Sequence, residues 1–207
     1  MTSSDASIAI RVAVIGEWVP SQLADVLALQ RAEEPETAAL IKCAASAHES
    51  ETSRDSFDFA LSPADLKWPG WVCEPLWHDT LAVAVAKRSH LLIYREVPCH
   101  EVLKQPIISA HSTVYEPWHA TAHRLLGDVP QAHEQTVGTL DMAMTLVAAG
   151  YGINIAPAAR LAGYKCRGIA VRPLASAPPI VMAYLLHPCG GLTEPQERFA
   201  RRARSVS

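Results

Sequence analysis

Thr139-Leu-Asp-Met-Ala-Met-Thr-Leu-Val-Ala-Ala-Gly-Tyr-Gly-Ile-Asn-Ile-Ala-Pro157 is the stretch whose reading decides the fold. Leu140, Ala143, Met144 and Val147 fall on one face at helical spacing. Thr139 stands where an N-cap belongs and Gly150 where a helix ends. Gly152-Ile-Asn-Ile-Ala-Pro157 then reads as a buried strand. No charge interrupts the chain from Met142 to Ala159, which raises a membrane-spanning reading. Gly150, Gly152, Asn154 and Pro157 break that run into helix, turn and strand instead. Gly150-Tyr-Gly152 begins like a dinucleotide fingerprint, but Ile155 replaces the third glycine. A helix also precedes it and a strand follows, the reverse of the required context, so the nucleotide reading is rejected.

Working outward, Ile8 to Ile15 is rich in β-branched residues and ends at Gly16, a strand and a turn. Pro20 occupies a first helical position; Leu23, Val26, Leu27 and Gln30 follow at helical spacing up to Pro35. Ala38–Ala44 is predicted as a second strand, Ala47–Ser56 as a polar helix and Phe57–Leu61 as a third strand stopped by Ser62-Pro63. This βαβαβ order predicts a parallel sheet. Val72 to Ala86 is strand-like, followed by a helix at Val97–Lys104, a strand at Pro106–Ala110, a helix at Tyr115–Leu126 and a strand at His133–Val137. After Pro157 come a turn-rich region, strands near Ile169–Pro173 and Ile180–Leu186, and a helix from Thr193. The fold class is α/β, in two lobes with a cleft between them. Lobe I is expected over 8–85 and 158–207 and lobe II over 86–157, after a disordered 1–7. Ligands in open α/β sheets bind beyond the carboxyl ends of strands. The five such places are Gly16–Ser21, Ala45–Ala47, Ser62-Pro63, His111–Tyr115 and Gly138-Thr139.

The 207 residues are 49% hydrophobic and 19% charged, with a net charge of −3. These values exclude disordered, collagenous and coiled-coil classes. The charge supplies no strong attraction to phosphate backbones or anionic lipid, so nucleic-acid and membrane partners are disfavoured for this chain alone. Cys43, Cys73, Cys99, Cys166 and Cys189 form no CxxC pair and read as buried, reduced thiols. Met1–Ser7 carries no basic segment and makes a poor secretion signal, which predicts a cytoplasmic protein.

The order of Ile10-Arg-Val-Ala-Val-Ile-Gly16, Leu23–Pro35, Asp58-Phe-Ala-Leu61, Glu74-Pro-Leu-Trp77, Leu81–Ala86, Ser89-His90-Leu91 and the 139–157 stretch resembles the effector-binding domain of LysR-type transcriptional regulators. The likeness covers about Ile8 to Pro188. It implies a periplasmic-binding-protein-like fold of type 2, two Rossmann-like lobes joined by strands crossing near Ala84–Lys87 and Ala156–Ala159. It further implies a small-molecule effector held in the cleft, no catalysis, no cofactor and no metal. A homodimer is implied, with the helix from Ser21 to Arg31 against that from Tyr115 to Leu126. DNA is contacted only through a winged helix-turn-helix, for which the residues before Ile8 are too few. Carried across by position, the ligand residues are Trp18, Val19, Ser46, Ser62, Pro63, His111, Ser112 and Thr139.

Where relatives place a basic side chain for a carboxylate, the matching positions hold Pro63 and His111, with Glu17 and Asp141 nearby. A neutral, weakly acidic or aromatic ligand is therefore expected, with Trp18 as a stacking surface or, equally, a cap on the first helix. His111 reads as a ligand contact or as a histidine satisfied by loop backbone. His119 and His123, at i and i+4, have a spacing that could hold zinc, but a solvated helix face accounts for them. Arg198, Arg201, Arg202 and Arg204 form a basic run that reads as a solvated helix end or tail in preference to a nucleic-acid patch. The alternative is a stand-alone solute-binding or sequestering protein. An enzyme on this scaffold is disfavoured because no Ser or Cys stands in a nucleophile motif.

Overall fold

The structure is a computed structural model and describes residues 9–16, 18–44, 47–110, 117–126, 134–175 and 180–206. The elements run β1 (Ala9–Ile15), α1 (Gln22–Glu33), β2 (Ala38–Ala44), α2 (Ala47–Thr52), β3 (Phe59–Ser62), β4 (Trp71–Ala86), α3 (Cys99–Val102), β5 (Ile107–Ala110), α4 (Pro117–Leu126), β6 (Glu134–Val137), α5 (Leu140–Ala149), β7 (Asn154–Pro157), α6 (Ala158–Ala162), β8 (Ile169–Pro173), β9 (Ile180–Pro188) and α7 (Glu194–Ser205). The chain divides into two compact units, one of Met1–Trp77 with Met182–Ser207 and one of His78–Val181. The chain passes from one unit to the other at 77/78 and 181/182, inside β4 and β9.

In the first unit β1 pairs in parallel with β2 from Ala9↔Ala38 to Ile15↔Ala44, and with β3 from Val12↔Phe59 to Val14↔Leu61. β9 continues the sheet antiparallel to β3, with Leu61 opposite Leu185. β1 is buried on both faces, as strands covered by helices must be: Ile10, Val12, Ala13 and Val14 are all at most 1% exposed. Helix α7 covers one side, with Phe199 tilted 5.1 Å from Phe59 between ring centroids. Its buried stripe of Phe199, Ala200 and Ala203 includes one charge, Arg202. Arg202 donates to Gln30 Oε1 at 2.8 Å, Glu33 Oε2 at 2.7 Å and Glu34 Oε1 at 2.5 Å, all from the last turn of α1 or just beyond it. Arg198 holds Glu34 from the other side. The indole of buried Trp77 donates to the Ala203 carbonyl at 3.0 Å, satisfying one of the acceptors that a helix C-terminus leaves open.

In the second unit β4 is flanked by β7 and β8, both antiparallel to it (Ala84↔Asn154 and Ala84↔Val171). β5 pairs in parallel with β6 and bridges in parallel to Ile153 before β7. Val97–Lys104, expected to be a helix, forms only the short α3 between Pro98 and the Gln105-Pro106 turn. α6 falls in the stretch expected to be turns. Its N-cap is Pro157, which has no capping side chain, and Asp79 on β4 accepts from the Ala159 N–H at 2.9 Å in its place. The thiols depart from expectation too: Cys43 and Cys189 are exposed and Cys73 and Cys99 only partly buried. Cys43 faces solvent because β2 lies at the sheet edge.

Candidate functional site

Parallel pairing brings the residues that follow β1 and β3 to the same end of the first unit's sheet. There Trp18 is buried (4% exposed), Val19 is 52% exposed and Pro63 is buried. Burial thus leaves the Trp18 ring little area on which a ligand could stack. Its Nε1–H is buried and has no hydrogen-bond partner among the described residues. An orphaned buried donor costs about 1–3 kcal/mol, and among the described residues of this sheet end it is the feature that calls for an acceptor from outside.

The hydroxyls carried across from the resemblance are already engaged. Ser62 Oγ accepts from the Ala64 N–H at 3.0 Å and donates to the Ala64 carbonyl at 2.8 Å, closing a local turn in place of facing a ligand. Thr139 Oγ1 accepts from the Met142 N–H at 3.2 Å, the N-cap bond of α5. Ser46, His111 and Ser112 lie outside the described residues, as do Glu17 and the side chains of His119 and His123.

The first turn of α5 holds a group that the sequence did not reveal. Arg167 pairs with Asp141 at 2.8 Å and lies 5.3 Å from the centroid of the Tyr164 ring. Burial, then the nearby Asp141 charge, raises the Tyr164 hydroxyl above its ordinary range. Arg167 sits in a short 3-10 turn, Lys165–Arg167, before Gly168. No motif marks it, and only the fold brings it to residue 141. Among the described residues no cluster of three His, Cys, Asp or Glu side chains could hold a metal ion. No helix among them is long and apolar enough to cross a membrane.

Comparison with solved structures supports the same fold. The effector-binding domain of BenM with its effector benzoate superposes with a TM-score of 0.80 at 17% identity, covering 95% of this chain and 90% of that one. Full-length BenM gives 0.80 at 17%, over 95% of this chain and 66% of its own, so this chain spans about two thirds of that relative. A reduced form of OxyR from N. meningitidis gives 0.76 at 16%, over 96% and 95%. No curated protein sequence matches. The model of the LysR substrate binding domain matches residues 4–206. With every described element inside that match, the chain belongs to the LysR substrate-binding domain family, whose members are ligand-sensing domains of regulators.

Proposed function

We propose that this chain senses a small neutral, weakly acidic or aromatic effector that reaches the carboxyl ends of β1 and β3, in the cleft expected from the sequence. The observation that carries this reading is the buried, unpartnered indole N–H of Trp18, which an acceptor atom on the effector would satisfy. Trp18, Val19 and Pro63 are the ligand residues retained from the described set; Ser46, His111 and Ser112 complete the proposal. Ser62 and Thr139 act by shaping the loop and helix end through their own backbone bonds. The protein works in the cytoplasm without catalysis, and DNA is contacted through a winged helix-turn-helix rather than through these residues.

The test is nitrogen-15 NMR of the five tryptophan indoles during titration with benzamide, phenol and benzoate, against sulfate and tetramethylammonium. The expected result is a shift of the Trp18 indole resonance with one of the aromatics and its loss in Trp18→Phe. Binding by sulfate alone would overturn the ligand class. No Trp18 response to any probe would overturn the site.

We also propose a homodimer that places α1 of one copy against α4 of the other. Edge strand β2 supports it, exposing Leu40 (55%) and Ile41 (41%), apolar area that an unpaired edge seldom leaves in water. Light scattering across a concentration series should show a dimer that Ile41→Lys weakens. A strict monomer would remove the proposal.

A further inference from the structure

Three chain segments meet at the Ile107 end of β5, wholly within the second unit. They are the turn after β4, the Gln105-Pro106 entry to β5 and the Gly150–Ile153 exit from α5. They line a half-open cavity of about 440 Å³, within the ~300–1,000 Å³ range of small-molecule sites. Its frame is tightly built. Ile153 N–H donates to the Pro106 carbonyl at 2.9 Å and Ile108 N–H to the Ile153 carbonyl at 2.8 Å. A Cβ at Gly152 would lie 2.3 Å from the Pro106 oxygen, so only glycine allows this approach. Gly150 (φ +88) ends α5, and Arg88 lies across it, donating through Nη2 to the Ala149 carbonyl at 2.5 Å.

Arg88 is the one permanently charged side chain of the lining. Arg88 and His90 stand at the cavity, with the Gln105 amide beside them and no carboxylate among the lining residues. The Arg88 guanidinium carries five N–H donors; one is used on Ala149, and no carboxylate pairs with it among the described residues. The acid near His90 is Glu101, already held by Lys104 at 2.6 Å and within 3.2 Å of His100. The flat or apolar part of the lining is Pro106, the buried Ile153 and the Tyr151 ring, which is 67% exposed; Ser89 adds a hydroxyl that accepts from the Leu91 N–H at 3.2 Å.

We propose that this cavity is a second binding site, separate from the Trp18 end, for an aromatic monocarboxylate whose carboxylate meets Arg88 and His90 while its ring lies against Pro106 and Tyr151. A planar guanidinium with free donors favours a carboxylate over a point anion. A single such group, part of it spent on a helix end, favours one negative charge over two.

The probe is 4-fluorobenzoate, followed by fluorine-19 line width and by backbone amide shifts, with 4-fluorobenzamide as the uncharged control. Amides of residues 88–90 and 150–153 are expected to move at millimolar concentration. Arg88→Gln is expected to weaken that binding by roughly tenfold, Arg88→Lys to keep part of it, and the benzamide to bind there several-fold more weakly. No shift at 88–90 and 150–153 up to about 10 mM would overturn the site. Equal binding by Arg88→Gln, or by the benzamide, would overturn the carboxylate assignment. If Arg88→Gln fails to fold, His90→Ala puts the same question without touching the Ala149 bond. The effector reading is scored separately, by the Trp18 indole, so either proposal can fail alone.

Discussion

Glu34 joins the C-terminal end of α1 to α7, and its replacement offers the most direct measure of what holds the first unit together. Hydrogen bonds from Arg198 and then Arg202 outweigh the cost of its burial and lower its carboxyl from an ordinary 4.5 to about 2. At 1.36 kcal/mol per pH unit that difference corresponds to about 3 kcal/mol. With a side chain 13% exposed and Arg198 at 32%, solvent screening reduces the realised value to about 1.5–3 kcal/mol. A depressed carboxyl stabilises the folded state fully above the unfolded value, and that stability is lost as pH falls from about 4.5 through 2. Urea unfolding of the wild type and Glu34→Gln at pH 7, 5, 4 and 3 should therefore show a gap of about 1.5–3 kcal/mol at pH 7, roughly 1 M in midpoint. The gap should narrow steadily below pH 4.5. A gap that stays constant down to pH 3, or no gap at pH 7, would refute the reasoning. The first outcome would mean that Glu34 acts through packing, the second that Glu33 and Gln30 suffice for Arg202.

Two tryptophans should respond unequally to the same change. Trp18→Phe removes an unpartnered donor and should alter chemical-denaturation stability by less than about 1 kcal/mol, the donor relieved offsetting the volume lost. Trp77→Phe strands the Ala203 carbonyl and should cost about 1–3 kcal/mol in the same assay; equal costs would contradict the orphan assignment. Gly152→Ala forces a Cβ against the Pro106 oxygen and should lower stability by about 2 kcal/mol or more, read as a fall in melting temperature. Arg167→Ala, an exposed pairing partner, should change stability by less than about 1 kcal/mol. A loss above about 2 kcal/mol in the same chemical-denaturation assay would contradict a solvent-screened pair.

The elements were legible wherever local pattern and tertiary demand coincide. The Thr139–Pro157 stretch carries its own cap, apolar face and glycine stop, and the structure shows all three: the Thr139 bond, the buried Leu140, Ala143, Met144 and Val147, and Gly150 in the left-handed region. The βαβαβ opening was legible for the same reason, since the unbroken apolar run Val12–Ile15 of β1 fits a strand covered on both faces. α6 was not, because its N-cap function comes from Asp79, 80 residues earlier in the chain, where no local window can find it. The Cys43 thiol was misread because composition reports compartment, not which strand lies at an edge. Arg167 escaped notice because its meaning lies in a pairing with Asp141 across 26 residues.

The candidate site shows a sharper version of the same limit. A resemblance carries over residue types at positions, and hydroxyls at Ser62 and Thr139 look like ligand donors in such a transfer. The structure shows both closing bonds with neighbouring backbone, Ser62 with Ala64 and Thr139 with Met142. To reach a ligand each would have to release a bond worth about 0.5–1.5 kcal/mol net, so a ligand contact there gains little. Trp18 is in the reverse position: its ring burial is already complete, and its N–H has nothing to give up. Specificity at a polar site comes largely from the penalty of leaving a buried group unpaired, and that penalty is present before the effector arrives. The discriminating contact is therefore expected at the side chain that the sequence valued for its aromatic face, acting through its single polar atom. Acceptor geometry, more than ring stacking, should rank the effectors this chain prefers.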